Sequence, residues 1–220
     1  MTLNELIGAL IAYLGEQTIP DTSKLHWWLK QARLRVYNFI LRNNPQALRR
    51  ETDINVGEGQ RDLPLPSFSK ALEAYIQYAT DDAETWYHLA IKPYLDTHAT
   101  FNPGLTGRPR HLLIAPSGNG ILWPVPDTNY RLRYVYAAPL DDFIWELPNG
   151  DWYIPEEYLD LFLKELAYAY AVAYPRDYGA RIPLIKQDIQ ETQETLKRVW
   201  NTYGGEKHIR RIVRYPRRFR

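Results

Sequence analysis

The chain has 220 residues, enough for one large domain or two small ones, with no cysteine, seven Trp, 17 Tyr and a formal net charge of +1. Disulfides and thiolate metal sites are therefore excluded. The most apolar run, Tyr158 to Tyr174, carries Asp160, Lys164 and Glu165 and is too polar to cross a bilayer, and Met1-Thr-Leu-Asn-Glu5 lacks the basic start of a signal peptide. The near-zero charge conceals an asymmetry. Residues 207–220 hold seven Lys/Arg and no acid, which leaves 20 basic against 26 acidic side chains in residues 1–206, a net of about −6.

In chain order, Thr2-Leu-Asn-Glu5 reads as a capping box opening a helix that runs to Leu14 and closes at Gly15. Pro20-Asp-Thr-Ser23 opens a second helix running to about Asn43. Leu25, Trp28, Leu29, Ala32, Val36, Phe39 and Ile40 mark one of its faces, and Trp27, Leu34, Tyr37 and Leu41 form a second stripe beside it. Two stripes imply burial on more than one side, as in a bundle interior or a subunit interface. Alternating runs follow at 51–56, 60–65 and 71–79, with a brief helix expected over 91–100. Leu112 to Ala115 and Ile121 to Trp123 form a hairpin through Pro116-Ser-Gly-Asn-Gly120, and a half-exposed strand covers 131–136. Ile154-Pro155-Glu-Glu157 starts a helix that is apolar on nearly every side to Tyr174, hence central. Pro183 opens the last helix, striped by Ile185, Ile189, Thr192, Leu196, Val199 and Tyr203 and ended by Gly204-Gly205.

The expected fold is α+β: a four-helix bundle core with an inserted antiparallel β domain of five or six strands and an extended C-terminal arm. The expected segments are 1–45 (first half of the bundle), 46–150 (β domain), 151–205 (second half) and 206–220 (basic arm). Residues 1–205 carry no catalytic signature: no metal-ligand histidine pair, no nucleophile elbow and no phosphate loop. No catalytic, cofactor-binding or metal residue is assigned. His88 and His98 with Asp96 or Asp81 form the best of the poor metal candidates, and Trp123, Trp145 and Trp152 would serve as platforms if the protein bound sugars.

The tail has three readings: a solvated end, a nucleic-acid patch using Arg for phosphates with Tyr215 and Phe219 for stacking, or a protein-docking arm that orders on contact. A simple phosphate-binding tail does not need Ile209, Ile212, Val213, Tyr215 and Phe219 among its cations, so the docking arm is favoured. Its contact residues are Lys207, Ile209, Arg210, Arg211, Ile212, Arg214, Tyr215, Arg217, Arg218, Phe219 and Arg220.

Taken together, Gly107-Arg-Pro-Arg110, the hairpin with Gly118-Asn-Gly120, Pro124-Val-Pro-Asp127, Tyr130-Arg-Leu-Arg-Tyr-Val-Tyr136, and Leu147-Pro148 leading into Glu156-Glu157-Tyr158 form an uncommon order. It resembles the head-to-tail adaptors (tail tubular protein A, gatekeeper-type connectors) of short-tailed bacteriophages. Asn55-Val-Gly-Glu-Gly-Gln-Arg-Asp-Leu-Pro64 resembles a strand signal of the same family, with Leu63 where an aromatic is usual. The resemblance implies a structural virion protein of the neck, assembled in the host cytoplasm, without enzymatic activity, cofactor or membrane association. It implies a homo-oligomeric ring of 12 copies below the portal, a tail tube or nozzle protein as the next partner, and genomic DNA passing through the lumen without sequence-specific binding. It further implies that residues 207–220 reach the portal protein. The alternative is a nucleic-acid-binding protein acting through that basic tail.

Overall fold

A computed structural model describes residues 2–16, 24–80, 85–94, 104–147 and 149–202, with the Trp145 side chain excepted. The chain divides into two compact units, residues 1–47 with 140–220, and residues 48–139.

The first unit is helical. Helix α1 (Leu3–Leu14) begins with the expected capping box: the Thr2 hydroxyl accepts from the Glu5 amide at 3.2 Å, and the Thr2 amide donates to the Glu5 carboxylate at 2.7 Å. Gly15 ends it in the left-handed conformation, φ 65°, where a Cβ would be strained. The i, i+4, i+8 row Leu6, Leu10, Leu14 is buried. Helix α2 spans Leu25–Asn43; the segment expected to open it, Pro20 to Ser23, lies outside the described residues. Strands β9 (Trp145–Glu146) and β10 (Trp152–Tyr153) form a small ribbon before helix α3 (Glu156–Ala173). The one-turn helix α4 (Pro175–Tyr178) leads through a 3-10 turn into α5 (Ile182–Thr202).

The expected four-helix bundle core is not what forms. Packing runs through one hub: α3 meets α2 most extensively, then α5, then α1. In a bundle each long helix lines a shared core against two neighbours. Here the stripe read on α5 fades after two positions, since only Ile185 and Ile189 are buried, while Val199 is 46% exposed. Thr192, placed in that stripe, instead hydrogen-bonds the Lys164 ammonium (2.7 Å) and the Asp160 carboxylate (3.0 Å). Helix α5 therefore meets α3 through a short apolar row near its start and a polar seam, while near its end Trp200 meets Phe39 of α2 at 5.5 Å and Tyr158 of α3 at 6.4 Å. The periodicity was helical, but the depth of burial along it was a tertiary property that spacing does not encode. Among the described residues no helix is long and apolar enough to cross a membrane.

Among the described residues the second unit holds eight strands: β1 (Arg49–Val56), β2 (Asp62–Leu63), β3 (Lys70–Tyr78), β4 (Tyr87–His88), β5 (Ala90–Pro93), β6 (His111–Ile114), β7 (Gly120–Trp123) and β8 (Tyr130–Ala137). They make two four-stranded sheets, ordered β1-β8-β3-β4 and β2-β7-β6-β5, where one antiparallel sheet of five or six strands was expected. Nor is the pairing wholly antiparallel, because β5 runs parallel to β6, Ala90 opposite His111 through Pro93 opposite Ile114. The helix expected over 91–100 is strand at 91–93, and residues 95–100 lie outside the described residues. Strand β2 is only two residues long because Pro64 and Pro66, which lack amide donors, follow it at once.

Both sheets contribute to one apolar core. Tyr130, Leu132 and Tyr134 of β8, Ala74 and Ile76 of β3, Leu63, Leu112 and Leu122 are all essentially buried. The β6–β7 hairpin follows its sequence closely: Gly118 sits at φ 85°, and its amide donates to the Ala115 carbonyl at 2.9 Å. Gly120 has a different reason to be glycine, since a Cβ there would lie 2.9 Å from Leu112 Cδ1 and 3.1 Å from Leu65 Cδ1.

Candidate functional site

Helix α2 carries no acid and four Lys/Arg (Lys30, Arg33, Arg35, Arg42), with Arg42 in the last turn where a cation opposes the helix dipole. Its apolar residues part into two faces. Leu25, Trp28, Leu29, Ala32, Val36, Phe39 and Ile40 are buried. Trp28 is fully enclosed and meets Tyr170 edge-on at 4.8 Å and Tyr174 at 5.8 Å, so a rigid aromatic cluster fixes α2 against α3. The second stripe splits. Tyr37 is buried and packs near Phe143 at 6.4 Å. Trp27 is 57% exposed, Leu34 43% exposed and Leu41 half-buried. These last three stand seven apart, and seven residues bring a helix back to within about 20° of the same direction, so they form one line along its outer surface. Gln31 and Asn38 lie between them, and Lys30 beside them.

An exposed line of Trp and Leu leaves apolar surface in water, at a cost of about 1.5–3 kcal/mol for each large side chain. That is the kind of surface a second protein covers. Helix α3 offers no such surplus. Its apolar circumference is consumed by α1, α2 and α5, leaving Val172 as its one markedly exposed large aliphatic side chain among the described residues. Among the described residues of these two helices, the exposed apolar line is on α2.

Beside this line, Arg35 reaches the carboxylate of Glu165 on α3 at 3.4 Å and lies 4.8 Å from the centre of the Tyr168 ring, which Lys186 of α5 also approaches at 5.6 Å. Glu165 is 7% exposed. Burial pushes its carboxyl above the usual range, and Arg35 opposes that shift without cancelling it. An acid whose folded pKa is raised contributes stability that is fully present below its unfolded pKa, about 4.3, and lost as pH rises through the folded value. Arg35, with 38% of its side chain exposed, can turn to water. Glu165→Gln is therefore expected to stabilise the protein at pH 7, with the gain shrinking toward pH 4 in denaturant titrations. A gain that does not vary with pH would contradict this assignment.

The tail residues assigned to docking, Lys207, Ile209, Arg210, Arg211, Ile212, Arg214, Tyr215, Arg217, Arg218, Phe219 and Arg220, all lie outside the described residues. So do Asp81, Asp96 and His98 of the weak metal candidate. Among the described residues no group of three or more His, Asp or Glu is placed to hold a metal ion. Of the three tryptophans considered as sugar platforms, Trp152 is buried at 1% exposure, which removes it, and Trp123 is half-buried. The carboxylates near the α3 start are engaged locally: Asp141 pairs with Arg33, and Glu146 with His26 at 3.3 Å.

No curated protein matches the chain significantly. A family model described as the SU10 adaptor protein matches residues 1–211, which takes in both compact units and the first residues of the basic tail. With nearly the whole length matched, the chain belongs to the SU10 adaptor protein family, a family of phage structural adaptors.

Proposed function

We propose that this chain is a head-to-tail adaptor whose copies form a closed ring between the portal and the tail tube or nozzle, extending the channel through which genomic DNA passes. The observation that carries the reading is the family match over residues 1–211. Four segments divide the work: helical residues 1–45 and 151–205, the β region 46–150, and the arm 206–220. The outer line of α2, Trp27, Leu34 and Leu41, supplies the contact between neighbouring copies. A ring of 12 such copies, matched to the portal, repeats each contact so that individually weak pairings act together once closed. The arm, with seven cations and no acid in 207–220, enters grooves of the portal through Ile209, Ile212, Tyr215 and Phe219, while its arginines pair with acidic walls.

Electron microscopy of the full-length protein mixed with the portal ring encoded by the same genome tests this directly. The expected result is an added ring of density beneath the portal, lost when residues 207–220 are removed. Bare portals with the full-length chain would sink the proposal, and salt-dependent DNA binding by the tail alone would then be the reading to pursue.

A further inference from the structure

We infer that the β unit carries a phosphate-binding cleft that takes the backbone of a nucleic acid strand, built around Arg108 and Arg110 beside Trp123. The cleft encloses about 370 Å³ and is walled by Tyr78, Thr106, Arg108, Arg110, Trp123 and Pro124. All of these residues belong to the β unit, so the inference depends neither on the ring nor on the tail.

Arg108 lies over the Tyr87 ring at 4.1 Å, which orients the guanidinium while leaving its in-plane N–H groups free to donate. The Arg110 side chain is exposed, and among the described residues neither arginine forms an ion pair. Two other cations of the same unit are paired: Arg133 is bidentate to Asp53 at 2.9 and 3.0 Å, and Arg49 reaches Glu73 at 3.4 Å. Lys92 and Arg110 add positive charge at this end of the sheet. His111, next along the chain, is held below its ordinary pKa first by burial and then by the charges of Lys92 and Arg110. Two guanidiniums two residues apart at the mouth of a concave site suit a phosphate group, which each can engage through paired N–H donors.

The backbone argues against an added β-strand as the ligand. An extended peptide is normally gripped through main-chain pairing, but here those donors are already spent. Gly107 N donates to Val125 O (2.9 Å), Val125 N to Leu105 O (2.9 Å) and Arg110 N to Trp123 O (2.9 Å). Recognition must come from side chains, namely the two guanidiniums and the Thr106 hydroxyl, with Trp123, whose ring packs on His111 at 5.5 Å, standing in the wall beside them.

The test is photocrosslinking of the full-length chain to an oligothymidylate containing 5-iodouracil, with mass-spectrometric mapping, because the basic tail would obscure any simple binding titration. The expected product is a crosslink on the peptide carrying Trp123, reduced roughly tenfold in Arg108→Gln/Arg110→Gln while crosslinks to the tail persist. Arg110→Glu, which changes only an exposed side chain, should do the same with an unchanged melting temperature. Competition separates the sources. Suppression by thymidine monophosphate or inorganic phosphate at millimolar concentration would make the cleft a site for free phosphates as well as for strands. Crosslinks confined to residues 207–220, a Trp123 crosslink indifferent to both variants, or suppression by oligoglutamate at lower concentration than by oligonucleotide would each overturn the inference.

Discussion

Trp28→Ala is expected to destabilise the helical unit by about 4 kcal/mol, lowering the melting temperature followed at 222 nm by about 10 °C. Trp28 is 0% exposed, and its ring is clasped edge-on by Tyr170 and Tyr174. Truncation removes the transfer energy of an indole, leaves a cavity in the seam between α2 and α3, and dissolves two aromatic contacts worth about 0.5–1.5 kcal/mol each beyond their area. Because α3 is the hub for α1 and α5 as well, the cavity opens where all the long helices depend on one surface. The adjacent residue is the control. Trp27→Ala removes the same side chain from a position 57% exposed and should move the melting temperature of the isolated chain by no more than about 1–2 °C. Equal losses from the two substitutions would show that α2 is rotated from the orientation described.

The second large effect concerns assembly and leaves the fold intact. Trp27→Asp combined with Leu34→Asp should abolish self-association while far-ultraviolet circular dichroism is unchanged. Covering each large apolar side chain contributes about 1.5–3 kcal/mol, so losing two costs about 3–6 kcal/mol per contact, a roughly hundredfold to ten-thousandfold weaker pairwise association. A buried unpaired carboxylate adds to that penalty. Sedimentation velocity on the free chain, together with electron microscopy in the presence of the portal, reads the outcome. A double variant that still forms the wild-type oligomer would remove the outer line of α2 from the interface and leave Leu184 and Val199 of α5 as the next apolar surfaces to examine.

What the sequence disclosed divides by range. The capping box of Thr2 and Glu5 and the Gly118 turn are contacts across two to four residues, and both are present. The centrality of α3 was also legible, because a helix apolar on every side has nowhere to lie except inside. Two features failed for the same physical reason. Whether the stripe on α5 is covered along its length depends on how α5 crosses α3, and whether 91–93 is helix or strand depends on β6, which lies about 20 residues away and supplies the parallel partner. A segment as short as Ala90-Ile-Lys-Pro93 carries too little periodicity to decide between the two until its neighbour arrives. The cleft was hidden differently. Gly107-Arg-Pro-Arg110 is conspicuous as a motif, but its cations acquire meaning only when the chain returns to set Tyr87 beneath one of them and Trp123 beside the other. The docking residues of the tail lie outside the described residues, so their role rests on composition and awaits the portal experiment.

The pairing of β8 with strands made far earlier has a consequence for synthesis. Asp53 meets Arg133 across 80 residues, Arg35 meets Glu165 across 130, and Tyr13 bonds Asp188 across 175. At a ribosome adding about 5–20 residues per second, strand β1 waits roughly 4–16 seconds for its partner, and α1 and α2 wait longer still for α3 and α5. The nascent chain must close from its middle outward, with its apolar N-terminal helices the last to find cover. The capping box and the left-handed stop at Gly15 are contacts that need no distant partner, so they mark the ends of α1 early, while a helix of 12 residues gains its stability only when α3 covers it.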